Sequence, residues 1–67
     1  MDNIVICSSK LARKVVQENN KRRLSGKKVF NLIDIKPHKE DKRRSVFIYE
    51  YSDELKAFID GYVANNN

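Results

Sequence analysis

A chain of 67 residues holds one domain and excludes a second. Cys7 is its only cysteine, which rules out a disulfide within the chain. With His38 as the only imidazole, no ordinary zinc ligand set is available either. Fourteen Lys and Arg against nine Asp and Glu give a net charge of +5, which favours acidic partners such as nucleic acid, an acidic protein surface or anionic lipid, although such a charge also serves solubility alone.

The chain opens with a short β-branched run, Ile4-Val5-Ile6-Cys7, which predicts a strand. It leads straight into polar, basic sequence, unlike a secretory signal, and no run approaches the ~20 apolar residues of a membrane span. A free cysteine suits a reducing compartment, so the expected location is the cytoplasm. Ser8 or Ser9 is suited to cap a following helix. Leu11, Ala12, Val15 and Val16 then recur at helical spacing, with Lys10, Arg13, Lys14 and Gln17 opposite them. This predicts an amphipathic helix with a basic outer face. Asn19-Asn20 interrupts the apolar stripe and sets its expected end, whereas Ser25-Gly26 is the stronger terminator two turns on.

Residues 29–36 read as the clearest strand, closed by Pro37, which cannot donate to a sheet ladder. The polar stretch 37–44 reads as a hairpin loop, and residues 45–51 resume strand character. Ser52-Asp53-Glu54 starts a second helix with a cap and two acids at the positive end of the helix dipole. Leu55, Phe58, Ile59, Tyr62 and Val63 give that helix a full apolar stripe. Gly61 weakens its last turn by ~1 kcal/mol. The expected fold class is α+β, in the order β-α-β-β-α: a three-stranded, largely antiparallel sheet with both helices on one face. The single domain spans residues 1–64, with 65–67 as a frayed tail.

Strict alternation assigns Val29, Ile33 and Ile35 to one face of the second strand and Phe30 and Leu32 to the other. All three strands are then apolar on both faces. An apolar face left open by the helices calls for a cover, most simply another copy of the chain, which makes a homodimer the expectation. The other arrangement divides the helices between the two faces and leaves a self-sufficient monomer.

Little in the sequence supports catalysis. Cys7 and His38 form no implied nucleophile–base pair, and a cysteine at a strand end is expected to be a small buried hydrophobe. Glu40 and Asp41 are solvated loop acids, and two glycines cannot build a phosphate loop. No enzyme, cofactor or metal is expected. Phe47, Tyr49 and Tyr51 line one face of the third strand. They fit core beneath the second helix better than a base-stacking platform, with Tyr51 the most exposed of the three.

The basic clusters carry more information. Lys21-Arg22-Arg23 with Lys27-Lys28 precede the second strand. Lys36, Lys39, Lys42, Arg43 and Arg44 surround the hairpin tip, and Lys10, Arg13 and Lys14 line the first helix. The first two clusters stand about 25 Å apart at ~3.3 Å per residue, so they suit one long polyanion and not one small pocket. Lys21, Arg22, Arg23, Lys27, Lys42, Arg43 and Arg44 are the candidate binding residues for nucleic acid or an acidic protein surface.

The segments Ile6-Cys7-Ser8-Ser9-Lys10-Leu11-Ala12-Arg13-Lys14 and Leu32-Ile33-Asp34-Ile35-Lys36-Pro37 resemble a family of very small bacterial and phage proteins of unknown function, as do Ser45-Val46-Phe47-Ile48-Tyr49-Glu50 and Asp53-Glu54-Leu55. The resemblance covers most of the chain, but here the link at residues 19–28 is longer. It implies a phage or mobile-element accessory protein and transfers no site residues. The second reading is a protein–protein module that inhibits or adapts a host factor.

Overall fold

The computed structural model describes residues 2–65; Met1, Asn66 and Asn67, and with them the last two residues of the expected tail, lie outside it. The element order is β1 (Asn3–Ile6), α1 (Ser9–Leu24), β2 (Leu32–Pro37), β3 (Ser45–Glu50) and α2 (Asp53–Asn65). The three strands form one antiparallel sheet in the order β1-β3-β2. This is the expected α+β fold, with β2 and β3 as the hairpin and β1 on the far side of β3.

Ile4 pairs with Tyr49 and Ile6 with Phe47, so these four side chains share one face of the sheet. Ile6 and Tyr49 are buried there with Ala12 and Val15 of α1, Leu55 of α2 and Phe30 of the α1–β2 link, while Ile4, Leu11, Phe47, Phe58 and Ile59 pack around them. Both helices therefore lie on the same face.

α1 is longer than the sequence predicts and runs through Asn19-Asn20 to Leu24. Asn is a weak helix former because its side chain competes for nearby backbone. Here the Asn19 amide has a better use. It donates to the Phe30 carbonyl at 3.1 Å and accepts from the Phe30 N–H at 2.7 Å. One side chain thus stands in for a neighbouring strand, and Phe30, expected to lie within β2, is pinned to α1 instead. Termination falls at Ser25-Gly26. The Lys27 N–H reaches the Arg22 carbonyl at 2.8 Å and the Gly26 N–H reaches Arg23 at 3.3 Å, with Gly26 at φ 73°. That pairing requires a left-handed residue, which glycine adopts without a side-chain clash.

Strict alternation also fails in β2. The register shifts between Leu32 and Asp34, so that Leu32 faces Tyr49, Asp34 faces Ile48 and Ile35 faces Phe47. The extra residue, Ile33, forms a bulge. Past it, Leu32 and Ile35 share the helix side, while Asp34 and Lys36 point to the other. The open face is apolar mainly along β1 and β3, at Val5, Val46 and Ile48, and carries charge along β2. Cys7 lies beyond the end of β1 and is exposed, not buried, because the strand stops at Ile6.

Candidate nucleic-acid interface

The hairpin tip is built by two side chains. The Nδ1 of His38 accepts from the N–H groups of Glu40 at 3.1 Å and Asp41 at 3.3 Å. Asp41 accepts from the Arg43 N–H at 3.1 Å and from its Nε at 3.4 Å, while its carbonyl takes the Arg44 N–H at 3.0 Å. The His38 N–H donates to the Arg44 carbonyl at 3.0 Å and closes the loop. These bonds hold the backbone while Lys39, Lys42 and Arg43 project into solvent; the Arg43 side chain is 92% exposed. The Arg44 Nη2 reaches across to the Cys7 carbonyl at 3.1 Å and fastens the tip beside the start of α1.

At the opposite end, Lys21, Arg23, Lys27 and Lys28 are exposed, but Arg22 is not. Its side chain, 15% exposed, donates from Nε to Glu18 at 3.0 Å and from Nη1 to Glu54 and to the Lys28 carbonyl. The guanidinium also lies over the Phe30 ring, 4.3 Å from its centroid. The bond to Glu54 is the main reason that the Arg22 pKa is raised further, opposed by burial. Arg22 thus ties α1 to α2 and to the link, with three of its N–H donors and one ring-stacked face already engaged. Of the seven candidate residues, Lys21, Arg23, Lys27, Lys42 and Arg43 are free to meet a ligand from solvent. Arg22 and Arg44 hold the surfaces on which the others stand.

α1 connects the two clusters. It begins at the tip end, capped by the Ser8 Oγ accepting from the Leu11 N–H at 3.3 Å, and ends where residues 27–30 lead into β2. Lys10, Lys14 and Lys21 follow one another on its exposed side with Arg13 alongside, across ~16 Å of helix. The first turn of α1 carries no acid and its last turn carries three bases. The positive end of the helix dipole is therefore left unneutralised beside Lys10. These helix cations were legible as a cluster. Their role as a bridge was not, because it depends on α1 running past Asn20.

The concave surfaces are of a different kind. A cleft of about 290 Å³ between residues 28–31 and the start of α2 is lined by Glu50, Asp53 and Glu54 against one cation, Lys28. Tyr51 borders it, 36% exposed, with its hydroxyl donating to Asp53 at 3.1 Å, which raises the phenol pKa. An acid-lined cleft does not receive phosphate, whereas a second, more open depression of about 510 Å³ between α1 and α2 is lined by Lys14, Phe58 and Tyr62 and by no acid. Among the described residues no three His, Cys, Asp or Glu side chains are grouped to hold a metal, and no helix is long and apolar enough to cross a membrane. No protein-family model, curated protein or solved structure matches the chain.

Proposed function

We propose that this chain is a small non-enzymatic accessory protein, of phage or mobile-element type and working in the cytoplasm, that binds nucleic acid along a basic band. The band runs from Lys42 and Arg43 at the hairpin tip, along Lys10, Arg13 and Lys14 of α1, to Lys21 and Lys27, with Arg23 round the end of the helix from Lys21. The observation that carries this reading is the Arg44–Cys7 bond. It sets the tip against the start of α1, so that three clusters separated in sequence follow one path. Binding is through phosphates. The two core aromatics of β3 are turned under the helices, with Tyr49 buried and Phe47 packed against the core, and so are withheld from stacking on bases. Affinity then depends steeply on salt and little on sequence.

Neutralising the band tests this reading. Lys21→Gln/Arg23→Gln and Lys42→Gln/Arg43→Gln are each expected to weaken binding to a labelled oligonucleotide, by roughly tenfold per lost phosphate contact at 50 mM salt. Lys56→Gln, whose ammonium is paired with Asp60 on α2 at 3.0 Å, is the control and leaves affinity unchanged. Equal affinity in all four proteins would remove the band from the account. It would favour the protein-binding reading, with the Val5–Ile48 face as the surface to probe.

A further inference from the structure

β2 is an edge strand and every one of its residues is exposed. The direction of its backbone groups follows from the two ends of the ladder. The Glu50 N–H donates to the Asn31 carbonyl at 2.8 Å, and the His38 N–H donates to the Arg44 carbonyl at 3.0 Å. Counting back from His38 in steps of two, Lys36 and Asp34 turn their amide groups toward β3, and Ile35 turns its N–H and C=O to the free edge. The Asp34 Oδ1 accepts the Ile35 N–H at 2.8 Å, as a donor not used by β3 requires. Pro37 also points outward and has no N–H to offer.

This edge is its own complement. Let a second copy approach antiparallel with Ile35 on a two-fold axis. Each Ile35 N–H then leaves its own Asp34 Oδ1, the two Ile35 residues exchange both backbone bonds, and the released Asp34 of each copy stands opposite Lys36 of the other on the open face. On the helix side Ile35, 51% exposed, meets its copy, and Leu32, 42% exposed, loses solvent nearby. Neither belongs to the core, which draws its sheet residues from β1 and β3.

We propose that the chain is a two-fold homodimer joined by antiparallel pairing of β2 with its copy, centred on Ile35, so that two three-stranded sheets become one of six strands. The pairing has a consequence that rests on the nucleic-acid reading, although the dimer itself does not. It turns the hairpin tip of each copy toward the end of the other copy's β2 at which Lys27 and Lys28 enter. Two basic clusters far apart within one chain then form a composite patch, repeated twice, whose mutual repulsion a bound phosphate backbone relieves.

Sedimentation velocity of the full chain without nucleic acid, across a wide concentration range, tests the dimer apart from any binding function. The wild type is expected to associate reversibly to twice its mass. Asp34→Lys and Lys36→Asp each set like charges against each other and are expected to weaken association by roughly tenfold or more. The double variant Asp34→Lys/Lys36→Asp restores both pairs and recovers association. Monomer mass for the wild type at every concentration overturns the proposal. So does a double variant as weak as the singles, or a dimer that both singles leave intact and Val5→Lys abolishes.

Discussion

Arg22 makes four contacts from one guanidinium: two carboxylates, one backbone carbonyl and an aromatic face. From sequence it is one of three adjacent cations, and nothing distinguishes it from Lys21 or Arg23. What separates them is the helical angle, which turns only Arg22 toward Phe30 and Glu54. Its truncation is a stability event. Arg22→Ala is expected to cost about 1–3 kcal/mol, while Arg23→Ala stays near neutral, which thermal unfolding distinguishes at about 4–8 °C per kcal/mol. Tyr49 provides a second prediction. Burial raises its phenol pKa above the ordinary value of 10.0. An acid whose folded pKa is raised contributes stability that is complete below the unfolded value and is lost as pH rises through the folded one. Stability is therefore expected to fall above about pH 10, and Tyr49→Phe to flatten that decline in urea titrations at pH 9 to 11.

The elements were legible wherever apolar spacing is decisive. The stripes of α1 and α2, the β2–β3 hairpin and the Ser52 cap, whose Oγ accepts from the Leu55 N–H at 3.0 Å, all follow from short-range pattern. Three features depend on partners distant in sequence. α1 continues past Asn20 because Asn19 finds Phe30, eleven residues on. β2 starts at Leu32 for the same reason. The bulge at Ile33 is hidden by a continuous apolar run, Leu32-Ile33, in which no alternation marks the extra residue. Asn19→Leu is expected to leave the Phe30 N–H and C=O without partners at a cost of about 1–3 kcal/mol. Amide exchange at Phe30 should then become fast. Gly26→Ala forces a side chain into the left-handed region and is expected to cost about 1–2 kcal/mol, although nothing lies within 4 Å of the added carbon. A substitution cost with no clash would show that backbone conformation alone is at stake.

At the scale of the whole molecule, the question is how a chain this small uses its surface. Its core is thin, with six buried apolar residues among those described, on one side of the sheet. The opposite face and the β2 edge remain open, and the cleft between residues 28–31 and the start of α2 is acidic. The candidate site was legible as composition: the clusters were visible, and five of the seven chosen residues are free to contact a ligand. The path joining them was not, because it depends on Arg44 reaching Cys7 across 37 residues.

The central claim, that the band binds a phosphate backbone, is tested most directly by the salt dependence of binding. Anisotropy titrations of the wild type with labelled single-stranded DNA, duplex DNA and RNA between 50 and 300 mM salt give the slope of log affinity against log salt. Five to seven phosphate contacts predict a slope of about −4 to −6. A slope shallower than about −1, or no saturable binding at 50 mM, would contradict the account and assign the charge to another purpose.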